Sequence, residues 1–237
     1  MNKLALGTAQ FGLKYGISNQ IGKIQLKEVK EILQYAKSLN INIIDTAISY
    51  GDSEKVLGET GVKDFKFITK LPVFPKNIFD VSSWIENEID LSLKRLNVQS
   101  LYGLLIHRSE DLIHGKSKDI VEALYKIKSK GKVKKIGISI YETSELEQLT
   151  DLIEIDIVQA PLNIFDQRLL TSGWLSKLHK NDIEIHVRSI FLQGLLLMPR
   201  QKYSSYFKQW KSLWKVWHEW LNDNKISALE ATVRYAL

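Results

Sequence analysis

The sequence predicts an α/β fold of the TIM-type (β/α) barrel kind, with seven parallel strands. Three observations lead there. Seven short apolar runs recur along the chain, and stretches of helical periodicity separate most of them, which is the pattern of right-handed βαβ units. Several runs end on a polar residue and then break into a turn, as strands do at the catalytic rim of a barrel. The Gly-x-Gly-x-x-Gly that would mark a doubly wound dinucleotide-binding sheet is missing.

The elements follow in order. Leu4–Gly7 reads as strand one, and residues 7–12 as a tight loop whose glycines let backbone approach a ligand. Val29, Ile32, Leu33, Ala36 and Leu39 keep a helical period over 26–39. Strand two, interrupted only by Asn42, ends at Asp45; Tyr50 and Gly51 come five residues later. Asp52 or Ser53 is expected to cap a short helix. Phe65–Thr69 is strand three and leads into Lys70, before Leu71-Pro72 ends it. Ser82 or Ser83 should cap a helix with Ile85, Ile89, Leu93 and Leu96 on its apolar face. Leu101–Ile106 is strand four and leads into His107; the next helix, over 120–127, stops near Gly131. Strands five (135–139), six (155–160) and seven (183–187) alternate with helices over 144–152 and 170–179. Residues 189–199 read as loop.

The chain then changes character. Residues 199–225 form a Trp-rich insertion helix in which Trp210, Trp214, Trp217 and Trp220 keep helical spacing. Such a stripe packs on the barrel wall or serves as a lid or oligomer contact. Ser227 and Glu230 form a capping box for a last helix. The whole chain, 1–237, is expected to be one barrel domain.

Composition narrows the function. Hydrophobic residues make up 44% and charged residues 25%, ordinary values for a globular chain. Cysteine is absent, so no thiolate can serve as metal ligand or nucleophile. No apolar run approaches the ~20 residues of a membrane span, and the N-terminus lacks a signal-peptide core. The expected location is cytoplasmic, with no membrane partner. Net charge is +6, but the one dense lysine run, 126–135, sits at a helix end where cations suit the dipole, so no nucleic-acid partner is expected. The five histidines are dispersed and lack ligand spacing, so no metal is expected.

Asp45, Tyr50, Lys70 and His107 each have a structural explanation when taken alone: turn residue, packing, surface charge or satisfied core histidine. Together they fall at successive strand ends, and the surroundings are distinctive. Leu6-Gly7-Thr8-Ala9-Gln10-Phe11-Gly12, Asp45-Thr46-Ala47-x-x-Tyr50-Gly51 and Gly51-Asp52-Ser53-Glu54 resemble the motifs of the aldo-keto reductases, and the resemblance extends over the whole chain. It implies a NAD(P)H-dependent oxidoreductase that reduces an aldehyde or ketone to an alcohol. Tyr50 would be the general acid. Its unperturbed pKa is near 10, and an ammonium close by, Lys70, would lower it. Asp45 would hold Lys70, and His107 would orient and polarise the small-molecule carbonyl substrate.

The same resemblance implies NADP(H) as cofactor. It assigns Ser139 and Gln159 to the nicotinamide carboxamide, Asn163 beside it, and Arg188, Ser189, Leu192, Gly194 and Leu195 to a pyrophosphate-side loop. Gly7 and Thr8 complete the cofactor set. Ile140 replaces an Asn of many relatives, and Arg188 stands where many carry tyrosine. The family barrel has eight strands, and its adenosine-phosphate grip follows the eighth; this chain reaches only helix seven. The expected barrel is therefore incomplete, with no strand eight. A fragment of a longer reductase, a short form whose open edge another subunit covers, and a relic that binds cofactor weakly all fit this departure. Open parallel edges predict a homo-oligomer or a marginally stable chain. A reductase-like barrel used as a binding or regulatory subunit is the alternative function.

Overall fold

The computed structural model describes residues 3–61, 63–75, 77–113 and 116–237. Seven strands lie in sequence order and pair in parallel: β1 (Ala5–Gly7), β2 (Ile43–Asp45), β3 (Lys66–Leu71), β4 (Leu101–Ile106), β5 (Val133–Ser139), β6 (Ile157–Pro161) and β7 (Glu184–Arg188). Side chains show that the sheet is curled. Gln159 of β6 donates to Asp45 of β2 at 2.7 Å, and the Tyr102 hydroxyl of β4 donates to Glu184 of β7 at 2.7 Å. In a flat sheet strands four apart are separated by about 19 Å and strands three apart by about 14 Å. The architecture is the incomplete barrel that the sequence predicts.

Alternation along each strand divides its side chains between two environments. Ile68, Leu105 and Ile157 pack inside, with Ile43 and Tyr102 against them. Phe67, Leu71, Leu104, Ile106, Ile136 and Val158 point outward to the helices and form the main core with Leu33, Ile85, Ile89 and Leu124. Below the inner apolar layer lies a polar one. Glu184 accepts from Tyr102, pairs with Lys135 and contacts His186 Nε2 at 2.6 Å. Burial opposes the Glu184 carboxylate, yet these partners hold its pKa down to about 2.

Strand and helix bounds shift in informative places. β3 runs one residue beyond Lys70, so Lys70 is an inward strand residue rather than the start of a turn. The 7–12 loop contains one helical turn, Ala9–Gly12. The expected 170–179 helix is two, Arg168–Thr171 and Trp174–Lys180, broken at Gly173 with φ +78°. Asp80, not Ser82 or Ser83, caps the helix Val81–Leu96; it accepts from Ser83 N at 2.9 Å. Asp52 occupies its cap position, but its carboxylate pairs with Lys23 instead.

The Trp-rich segment is not one helix. 3-10 turns cover Arg200–Lys202 and Ser205–Trp210, and the α-helix spans only Lys211–Asp223. Pro199 and the paired Ser204 and Ser205 favour caps and turns over helix interior. Trp214 and Trp217 are buried with Leu195, Leu196 and Ala231 in a second core. Their indole N–H groups donate to Phe207 O at 3.0 Å and Leu196 O at 3.2 Å. Trp210 and Trp220 stay exposed. Ser227 accepts from Glu230 N at 3.1 Å, as its capping box requires. No helix among the described residues is long and apolar enough to cross a membrane.

Candidate active site

The carboxyl ends of β2 and β3 build the centre. Lys70 is 1% exposed; its ammonium donates to Asp45 Oδ1 at 2.7 Å and to Thr46 O at 2.9 Å. Burial is the largest influence on Lys70 and holds its pKa below the usual lysine value, while Asp45 works the other way. Asp45 also accepts from Gln159 Nε2. Its carboxylate therefore receives two donors on one oxygen, which fixes its position between strands far apart in sequence.

Tyr50 reaches the centre from the turn after β2. That turn packs against the helical turn 9–12 because Gly12 has no side chain; a Cβ there would collide with Tyr50 O. Gly51, at φ +56°, completes the reversal. The Tyr50 ring lies 5.2 Å from Lys70 Nζ and meets the His107 ring edge-on at 6.0 Å. Burial pushes the Tyr50 hydroxyl pKa well up, Asp45 adds to this, and Arg188 is the cation that pulls it down. The sequence reading expects Lys70 to lower it. In the structure burial is the largest influence and the Asp45 carboxylate works in the same direction, so the hydroxyl pKa rises instead.

His107 follows β4. Burial, then the Lys70 charge, lowers its pKa to about 4, so the ring is neutral at physiological pH. Ser49 Oγ lies 3.2 Å from Nδ1. A hydroxyl donating to Nδ1 leaves the ring proton on Nε2.

The remaining predicted residues divide into groups. Ser139, the last residue of β5, and Gln159, expected at the end of a strand but found in the middle of β6, are both buried. Gln159 Oε1 is buried with no hydrogen-bond partner. Gly7 is open, with nothing near the space a Cβ would take. Thr8 is fully buried and engaged: its hydroxyl donates to Asp45 O at 2.9 Å and accepts from Ser53. Asn163 is engaged too. Its amide donates to Ser189 O at 3.2 Å, and its oxygen accepts from Phe165 N and Asp166 N. Leu192 packs against the Trp core, and Leu195 lies within it. Gly194, at φ +87°, fits closely against Ser18. Arg188 reaches across the mouth to Ile140 O at 2.9 Å. No group of three or more His, Cys, Asp or Glu among the described residues is placed to hold a metal ion; His114 lies outside those residues.

Sequence reasoning missed Ser49 and Tyr141 and gave no role to Glu54, which it noted only as part of a motif. Ser49 is adjacent to Tyr50, yet only the fold brings it to His107. Tyr141, two residues past Ser139, carries the Arg188 guanidinium 4.4 Å above its ring. Glu54, 2% exposed, accepts from Thr69, Ser92 and Arg95 at 2.6, 2.7 and 2.7 Å. It braces the outer face of β3 directly behind Lys70.

Comparison with known proteins identifies the family. The sequence profile of the aldo/keto reductase family matches residues 3–237. The chain belongs to the aldo/keto reductase family. An aldo-keto reductase from Gibberella moniliformis is 25% identical over 190 residues, covering 75% of this chain and 56% of that protein. An NADH-specific methylglyoxal reductase of Escherichia coli is 26% identical over 219 residues, covering 83% of this chain and 65% of that protein. This family member thus spans less than two thirds of either relative's length. The solved structure of a glycerol dehydrogenase from Gluconobacter oxydans superposes with a TM-score of 0.72 at 22% identity, covering 98% of this chain and 77% of that one. That likeness is one of fold.

Proposed function

We propose that the chain is a nicotinamide-dependent reductase of a small aldehyde or ketone, with Tyr50 as its general acid and NADP(H) as its cofactor. The convergence of Asp45, Tyr50, Lys70 and His107 on one space at the barrel mouth carries this reading. The bound cofactor supplies a hydride to the carbonyl carbon. His107 Nε2–H donates to the carbonyl oxygen and polarises it. Tyr50, kept protonated by burial, gives its proton to that oxygen as negative charge develops. Lys70 then faces the tyrosinate, and Asp45 keeps the ammonium in place. A buried amide oxygen without a partner is costly. Gln159 Oε1, beside Ser139, fits a carboxamide N–H donor, and these two residues would hold the nicotinamide.

Gly7, Thr8, Asn163, Arg188, Ser189, Leu192 and Gly194 complete the proposed cofactor side. The hydrogen bonds of Thr8 and Asn163 make them shapers of this wall, as do the packing of Leu192 and Gly194. We also propose self-association through the exposed strand margin.

The test is Tyr50→Phe. Turnover should fall by about a thousandfold, within the usual range for loss of a general acid. Cofactor affinity, read by fluorescence titration, should stay within about twofold. Retention of full rate by Tyr50→Phe would refute the assignment.

A further inference from the structure

We infer that Arg188 makes this site select the reduced nicotinamide over the oxidised one. The inference rests on the reading above that Ser139 and Gln159 hold a nicotinamide. Arg188 ends β7 opposite Pro161 of β6, but its side chain does not stay over its own strand. One guanidinium nitrogen donates to Ile140 O, the residue after Ser139, at 2.9 Å. Another donates to Ser189 Oγ at 3.3 Å, and the group lies over the Tyr141 ring at 4.4 Å. The guanidinium thus spans from β7 to the end of β5, across the end of the intervening strand that carries Gln159. A nicotinamide whose carboxamide paired with Gln159 and Ser139 would lie beside it.

The charge is fixed and has no direct ion-pair partner. No carboxylate forms an ion pair with Arg188 among the described residues. Asp45 is taken by Lys70 and Gln159, and Asp166 by Arg168. An arginine stays charged throughout the working pH range. Its field reaches Tyr50, Lys70 and His107, so the site has a net cationic side. Oxidised nicotinamide bears a positive ring and reduced nicotinamide a neutral one. The neutral π-system accepts a guanidinium on its face, whereas the pyridinium is repelled by it. At contact distance that repulsion separates the two affinities by about tenfold or more.

The full chain should be titrated with NADPH and separately with NADP⁺, followed by quenching of tryptophan fluorescence. Wild type should bind the reduced form about tenfold or more tightly. Arg188→Gln should shrink the ratio to about threefold or less, and Arg188→Lys, which keeps the charge, should retain part of it. NADH and NAD⁺ should give the same ratio, because the charge difference lies in the ring. Equal affinities in wild type, or an unchanged ratio in Arg188→Gln, would overturn the inference while leaving the cofactor reading intact. Failure of both redox forms to bind would overturn the two together.

Discussion

The wall formed by β3 to β6 and the margins at β1 and β7 are built to different standards. In the wall most residues are buried, with apolar packing on both faces and Glu54 bracing one of them. At the margins Ala5 and Gly7 are exposed, and all five residues of β7 remain half-buried. The proposed proton machinery draws half its residues from the wall: Lys70 lies within β3, and His107 directly follows β4. Asp45, from neighbouring β2, is tied back to it by Lys70 and Gln159. The proposed cofactor grip, from Gly7 and Thr8 to Arg188 and Gly194, hangs largely on the margins. The difference teaches that this chain pre-organises its chemistry more firmly than its hold on the dinucleotide.

The contrast can be broken most severely at Glu54. Glu54→Ala leaves the Arg95 guanidinium, Thr69 and Ser92 without their shared acceptor, and should destabilise the fold by about 3–5 kcal/mol in urea unfolding. A loss under about 1 kcal/mol would mean that the brace does not hold the wall. Leu105→Ala removes a fully buried side chain from the inner layer and should lose about 2–5 kcal/mol. Leu6→Ala on β1, where the side chain is only half-buried, should lose clearly less. Equal losses would erase the distinction between wall and margin.

Hydrogen exchange sharpens the same contrast without mutation. Amides of β1 and β7 should exchange through local opening, well before those of β3, β4 and β5. The smallest expected effect is a pH effect at His107. Its folded pKa of about 4 lies below the ordinary 6.5, so the unfolded chain binds this proton first. The stability contributed is complete above pH 6.5 and is lost as pH falls toward 4. NMR of the ring should show no titration between about pH 5.5 and 8. A midpoint near the ordinary value would place His107 in water rather than against the wall.

Much of this was legible in the sequence, because it is written in local pattern. Seven apolar runs gave seven strands, and Asp45, Lys70 and His107 stand at strand ends because an inward position at the rim must end a buried run. Contacts between distant segments were not legible. The Gln159–Asp45 bond joins residues 114 apart in sequence. Tyr141 under Arg188 and Ser49 beside His107 likewise depend on how strand ends meet. Trp214, Trp217 and Trp220 lie on the helix, but 3-10 turns replace nearly the first half of the expected 199–225 helix because Pro199 and the serines favour turns. The sequence reading gives Lys70 the task of lowering the Tyr50 pKa; only the structure shows that burial raises it.

The central claim is that the polar groups at the rim perform carbonyl reduction. Its most direct measurement mixes the full chain, NADPH and a panel of small aldehydes, and follows loss of the reduced-nicotinamide absorbance together with alcohol formed. The account predicts aldehyde-dependent oxidation of NADPH with one alcohol produced per cofactor consumed. NADPH that binds but is never oxidised, whatever aldehyde is supplied, would contradict it and leave a barrel that only holds the nucleotide.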